Sequence, residues 1–159
     1  WSSDVCSSDL TNTLDGLRLL VVDDNAINRS ILEEHGRSWG MDVTCCASGQ
    51  AALSFATEAR AKGTPFHVLL VDYQMPEMDG EMVCRAIRGS DDLRDAVVVV
   101  LSSQVQTGLR ARVIEAGADG FMLKPGRPDA IKREILGAAI RRGGQMLGGE
   151  VPMFLSVSC

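Results

Sequence analysis

Basic residues are in the minority: 16 lysines and arginines stand against 21 aspartates and glutamates, for a net charge of -5. A chain so balanced is a poor clamp for a phosphate backbone, so direct nucleic-acid binding is not expected. No apolar run reaches the roughly 18 residues of a membrane span, and the start lacks the basic-then-apolar order of a secretion signal. Membrane contact by this segment is therefore not expected either. The five cysteines, Cys6, Cys45, Cys46, Cys84 and Cys159, are an odd number without metal-ligand spacing. If Cys45 and Cys46 lie in a strand they point to opposite faces. All five read as reduced, structural thiols of a cytoplasmic protein.

What is present suits one globular domain: 159 residues, 45% hydrophobic and 23% charged. The ends stand apart from it. "WSSDVCSSDL", residues 1–10, has no periodicity in keeping with the rest of the chain and is similar to a translated sequencing adapter, so it is set aside from the fold and the chain is expected to be truncated there. Residues 11–144 are taken as the domain. Residues 145–159 form a Gly-rich linker and a short apolar tail of unread role.

Five apolar runs punctuate the domain: "LRLLVV" (17–22), "VTCCA" (43–47), "HVLLVD" (67–72), "AVVVVL" (96–101) and "GFMLK" (120–124). Several are apolar almost throughout, as parallel strands covered on both faces require. Helical spacing fills the gaps. It is carried by Ile27, Ile31 and Leu32; by Ala51, Leu53, Phe55 and Ala56; by Met82, Val83, Ala86 and Ile87; by Val105, Leu109 and Val113; and by Ile131, Ile135 and Leu136. Ser48 and Asp79 are expected N-caps, Gly117 a C-cap, and Pro128 a first-turn residue. Strand and helix alternate five times, which right-handed crossovers wind into an α/β doubly wound, five-stranded parallel sheet with helices on both faces.

Ligands in such sheets bind beyond the carboxyl ends of the strands. Asp23 and Asp24 end the first strand and Asp72 the third, and in the order 2-1-3-4-5 these strands are neighbours. Two unit charges about 4 Å apart at an effective dielectric near 20 repel by roughly 4 kcal/mol, so three converging carboxylates need protons or a divalent cation. An all-oxygen cluster suits Mg2+. Ser102 follows the fourth strand and Lys124 the fifth, just before Pro125. Acids, a metal, a hydroxyl and an ammonium around one aspartate suit a phosphoryl group, with a carboxylate as nucleophile.

"LLVVDDNAINRSILEEHGRSWG", "LLVDYQMPEMDG", "VVVVLSS" and "AGADGFMLKP" together resemble the receiver domain of two-component response regulators, especially the receivers attached to hybrid histidine kinases. The resemblance spans roughly residues 17–142. It implies the flavodoxin-like strand order 2-1-3-4-5 and a phosphorelay role in which Asp72 accepts a phosphoryl group from a phosphohistidine. It implies direct Mg2+ ligation by Asp24, Asp72 and the Gln74 backbone carbonyl, with Asp23 acting mostly through water. Ser102 would hydrogen-bond the phosphoryl oxygens, and Lys124 would pair with them across a cis bond to Pro125. Phe121 would be the aromatic switch that follows Ser102, biasing the face of the fourth helix, fifth strand and fifth helix. Met75, Pro76 and Gly80 would shape the loop after Asp72.

The implied partners are a histidine kinase or a histidine phosphotransfer domain, with a receiver dimer left open. The implied chemistry is transfer onto itself and slow hydrolysis. A fragment of a hybrid sensor histidine kinase is the expected parent, and a single-domain regulator the alternative. An aspartate-nucleophile phosphatase of the haloacid-dehalogenase type is more remote, since Gln74 stands where its second acid would be. A nucleotide site is weaker still, because "DDNAIN" lacks a phosphate-cradling glycine loop. A docking pseudo-receiver is opposed by the complete acid set. His35 and His67 sit in no kinase-like context and read as structural, as does Trp39 at a helix end. Two departures from the family pattern stand out: Gly36 inside the first helix, and Gln74, whose side chain overhangs the phosphoryl position.

Overall fold

The computed structural model describes residues 14, 16–124 and 126–141. Residues 1–10, the tail 145–159, Cys6, Cys159 and Pro125, with its expected cis bond, lie outside them. Strands β1 (Arg18–Val22), β2 (Asp42–Cys46), β3 (Val68–Asp72), β4 (Val97–Ser102) and β5 (Gly120–Leu123) alternate with five helices. These are α1 (Ala26–Ser38), α2 (Gly49–Ala61), α3 (Gly80–Arg88), α4 (Leu109–Ala116) and α5 (Pro128–Arg141). The sheet is parallel throughout, in the order β2-β1-β3-β4-β5.

The strand pleat explains the unbroken apolar runs. Leu20, Val22, Leu69, Val71, Val98 and Val100 pack toward Ala52, Ala56, Val83, Ile87 and Val113 of α2, α3 and α4. Their alternates Leu19, Val21, Leu70, Val99 and Leu101 pack toward Leu32, Ile131, Ile135 and Leu136 of α1 and α5. Both faces of the central strands are thus covered, and β3 and β4 are buried along their whole length. Cys46 belongs to the first of these cores and Cys45 packs against the second. Cys45, Cys46 and Cys84 are free thiols.

Local signals fix the helix starts. Ser48 accepts from the Ala51 N–H and Asp79 from the Met82 N–H. Asn25 accepts from the N–H groups of Ile27 and Asn28, a cap that hydrophobic spacing does not reveal. Pro128 opens α5.

Spacing misleads at three places. Val105 is not in α4: it is 88% exposed, and Gly108, at φ +81°, adopts a left-handed conformation that starts the helix at Leu109. Ile27 is 70% exposed, and Ile31 is exposed as well, so Leu32 and Gly36 carry the buried stripe of α1. Phe55 and Met82 also lie open, while Ala52, Ala59 and Cys84 are buried.

Gly36 has a steric reason. A Cβ there would stand 2.7 Å from Val43 Cγ2 and 2.8 Å from Leu19 Cδ2, so glycine lets α1 lie directly on the sheet. Trp39 is buried as the C-cap of α1, beside the His35 ring. His67 Nδ1 accepts from the Arg18 N–H at 3.0 Å, and burial, then the Arg18 charge, hold its pKa down. No helix among the described residues is long and apolar enough to cross a membrane.

Candidate functional site

Strands β1 and β3 are adjacent, with Val22 opposite Val71, so the residues just beyond them meet. Asp23, Asp24 and Asp72 each offer a carboxylate oxygen, and these atoms lie within 4.8 Å of one another. Asp23 and Asp72 are buried and Asp24 is exposed. The Lys124 ammonium, delivered just past β5, reaches Asp23 Oδ2 at 2.6 Å and Asp72 Oδ1 at 3.1 Å. An apolar strand can therefore end on an aspartate because a cation waits for it.

Compensation is incomplete. Burial raises the Asp72 pKa and the Asp23 charge raises it further, while Lys124 and the Gln74 backbone N–H oppose the shift. For Lys124, burial pulls the pKa down, but the hydrogen bond to Asp23 and the charges of Asp72 and Asp23 outweigh it, and the ammonium is stabilised overall. Three carboxylates and one ammonium leave two negative charges, the charge a divalent cation cancels. The geometry fits as well. Oxygens on one Mg2+ stand about 3.0 Å apart when adjacent and about 4.2 Å when opposite, at metal–oxygen distances near 2.1 Å, so carboxylate oxygens within 4.8 Å of one another can share one ion, directly or through a bound water.

Asp23 is fixed more firmly than sequence reasoning anticipated. Its carboxylate accepts from the Asn25 N–H at 2.9 Å and its carbonyl accepts from Arg29 Nη1 at 2.8 Å. Neither Asn25 nor Arg29 was singled out from the sequence; the Asx pattern before α1 was the available signal for Asn25.

Ser102 ends β4, fully buried. Its hydroxyl accepts from the Gln104 N–H at 3.1 Å and donates to the Gln104 carbonyl at 3.2 Å. Ser103 is exposed and donates to Gln74 Oε1 at 2.7 Å. Phe121 is half-buried, packed against the core on the α2–α4 side, with its N–H donating to Glu134.

After Asp72 the chain turns sharply. Met75 is buried, Pro76 is exposed, and Glu77 takes φ +68°, a left-handed conformation uncommon outside glycine. The Gly80 N–H then donates to the Tyr73 carbonyl at 2.9 Å. A Cβ on Gly80 would sit 2.9 Å from Tyr73 Cα and 3.2 Å from the Asp72 carbonyl oxygen. Glycine is thus needed there for space, which lets α3 start against the strand end that carries Asp72.

Known proteins resemble this chain in sequence and fold. A family model described as the response regulator receiver domain matches residues 19–136. Two-component response regulator ORR3 of Oryza sativa is 33% identical over 115 residues, covering 72% of this chain and 85% of that protein. Among solved structures, the receiver domain of sensor histidine kinase PA1611 from Pseudomonas aeruginosa, with magnesium coordinated in its active-site cleft, superposes with a TM-score of 0.68 at 27% identity. That likeness covers 80% of this chain and 98% of the other. The receiver domain of a signal transduction histidine kinase from Syntrophus aciditrophicus gives 0.67 at 25% identity, covering 84% of this chain and 92% of that one. With its five parallel strands and its carboxylates gathered at their ends, the chain belongs to the receiver-domain family of two-component response regulators.

Proposed function

We propose that Asp72 is the phosphoacceptor of a phosphorelay. The observation that carries this reading is the ammonium of Lys124 shared between the buried carboxylates of Asp23 and Asp72, beside a third acid, at the end of an apolar sheet. In loading, the N–P bond of a phosphohistidine on a histidine kinase or phosphotransfer domain breaks as an Asp72 O–P bond forms, and the imidazole nitrogen keeps the electron pair. The Asp72 carboxylate must be ionised to attack, so its raised pKa keeps it basic and the Lys124 contact keeps it charged.

Asp24, Asp72 and the Gln74 carbonyl, with Asp23 through water, are the residues that would hold Mg2+. When bound, the ion supplies charge neutralisation for the incoming phosphoryl oxygens. Lys124 then exchanges carboxylate partners for phosphoryl oxygens, and Ser102 turns from Gln104 toward the same group. Phe121, half-buried at the rim of the core, moves into the space this rotation vacates, altering the face of α4, β5 and α5.

The parent is read as a hybrid sensor histidine kinase, supported by the two solved neighbours that are histidine kinase receivers. A single-domain regulator is the second reading, favoured by the rice regulators, most of whose length this chain matches. In either case residues 11–144 form the receiver, and residues 1–10 are foreign sequence. A phosphohistidine donor and the free thiols suit the cytoplasm. The mass of the native protein, read by immunoblot against the receiver, separates the two parents.

The decisive experiment is incubation with acetyl phosphate and Mg2+, with intact mass as the readout. One Mg2+-dependent phosphoryl adduct, absent in Asp72→Asn, is expected. No adduct in the parent chain refutes the phosphoacceptor role. Trp39 is a poor reporter for this assay, because it lies at the end of α1 remote from the acids, about 20 Å along a 13-residue helix.

A further inference from the structure

A cavity of about 300 Å3 opens at the amino ends of β3 and β4, at the opposite end of the sheet from the acids. Its volume is at the small end of ligand sites, which run from roughly 300 to 1,000 Å3. The floor is apolar, made by the buried side chains of Ala56, Phe66, Leu69, Ile87 and Leu93. Charged groups stand at the rim. Arg60, in the last turn of α2, is on one wall, and Asp92 and Asp95, in the loop between α3 and β4, are on the other. All three are exposed, and their side chains take part in none of the hydrogen bonds or ion pairs among the described residues.

Opposite charges that line one cavity without pairing are held apart by its width. The loop cannot readily collapse to close the gap. Arg88 Nη1 binds the carbonyls of Arg94 and Ala96, and the N–H groups of Leu93 and Arg94 both donate to the Ser90 carbonyl. The cavity is therefore preformed. His67 adds a directed donor. Its Nδ1 accepts from the Arg18 N–H, and burial favours the neutral ring, so the proton sits on Nε2 at the other edge of the imidazole.

We infer that this cavity binds a free α-amino acid with an apolar side chain, its carboxylate on Arg60 and the His67 Nε2–H and its ammonium on Asp92 and Asp95. A ligand that bridges the two walls must carry both charges, a carboxylate toward α2 and a cation toward the loop. An apolar body between them covers the floor. A lone amine would leave Arg60 unanswered, and a lone carboxylate would leave both aspartates so. The site shares no residue with the acid cluster and does not rest on the phosphoacceptor reading.

The test is titration calorimetry of the chain with L-leucine, L-isoleucine, L-methionine and L-phenylalanine. At least one is expected to bind with a Kd of about 1 mM or tighter. For that amino acid, the amide form, which lacks the carboxylate, and the N-acetyl form, which lacks the ammonium, should each bind about 10- to 100-fold more weakly, the worth of charge-assisted hydrogen bonds. Arg60→Gln should weaken the amino acid by a similar factor yet leave the amide form unchanged, because the interaction it removes is already absent there. Asp92→Asn with Asp95→Asn should do the same for the N-acetyl form. All three residues are exposed, so the melting temperature without ligand should stay put. Saturating Mg2+ should not alter the affinity, since the acids lie at the other end of the sheet. Failure of all four amino acids to bind below about 10 mM, equal binding of the amide or N-acetyl form, or displacement by Mg2+ would each overturn the assignment.

Discussion

Replacing Lys124 with methionine should tighten Mg2+ binding while slowing phosphoryl loading, two effects of opposite sign from one lost charge. The ammonium stands 2.6 Å and 3.1 Å from oxygens of Asp23 and Asp72. A cation held by those carboxylates sits about 2.1 Å beyond their oxygens, which separates the two positive centres by roughly 5 Å. A single against a double charge at that separation costs roughly 2 kcal/mol in bulk water and roughly 7 kcal/mol at an effective dielectric near 20. The lysine side chain is only 16% exposed, but the cation's place is open to solvent on the side of the exposed Asp24, so solvent screens the pair in part and the lower end applies. A gain of about 2–3 kcal/mol corresponds to affinity raised about 30- to 150-fold.

Methionine keeps an apolar stem beside Leu101 and Ile131, which line the same small groove as Lys124. Titration calorimetry should be run near pH 8, because removing the ammonium raises the Asp72 pKa further and protons then compete with metal. Loading should fall about 10- to 100-fold, the worth of one or two charged hydrogen bonds to the phosphoryl oxygens. Unchanged or weaker Mg2+ binding would show that the ammonium does not oppose the cation and would refute the charge argument.

Three further substitutions address the frame. Arg88 donates to the carbonyls of Gly117, Arg94 and Ala96 and to Asp119, with side chains 18% and 10% exposed. Arg88→Met should therefore cost about 3–5 kcal/mol in urea unfolding, and a loss below about 1 kcal/mol would refute the clamp. Gly36→Ala improves helix propensity by about 1 kcal/mol but overpacks Val43 and Leu19 by about 1–3 kcal/mol, so melting should fall; a rise would show that α1 lifts off the sheet freely. Burial lowers the His67 pKa, so the unfolded chain binds the extra proton: stability is full above the unfolded value of 6.5 and declines as pH falls through the lower folded value. His67→Asn keeps an acceptor for the Arg18 N–H and should flatten that slope, and an unchanged slope would assign it to other groups.

Burial on both faces made the strands legible, because β3 and β4 need apolar residues without interruption and few other elements do. The site was legible for a related reason: Asp72 and Lys124 are polar residues placed where such runs stop. Val105 was misplaced because one apolar residue four positions before Leu109 extends the helical period, while the φ of Gly108 is invisible to periodicity. The exposed Ile27 and Ile31 misled in the same way. The Ser103–Gln74 bond and the Arg88–Asp119 pair join residues 29 and 31 positions apart, and no local pattern announces a pairing that only strand register creates.

The two ends of the sheet obey opposite electrostatic rules. At the amino ends, Arg18 lies 4.4 Å over the Phe66 ring, pairs with Asp42 and donates to Thr64 and to His67 Nδ1, while the Asp119 carboxylate takes both Arg88 and the Val98 N–H. Arg18 and Arg88 each face a carboxylate there. At the carboxyl ends, three acids face one lysine, and burial pushes the Asp72 pKa up. Excess negative charge at that end opposes folding, and a phosphoryl group would add more. Under the proposed phosphoacceptor role, a site that alternates between a cation, a phosphoryl group and neither cannot be electrostatically complete in every state. The matched clamps at the far end therefore supply stability through groups remote from the proposed phosphoryl cycle. Substitutions at Arg88 should accordingly change unfolding without changing loading rates in the folded protein, and substitutions at Lys124 should change loading more than they change unfolding.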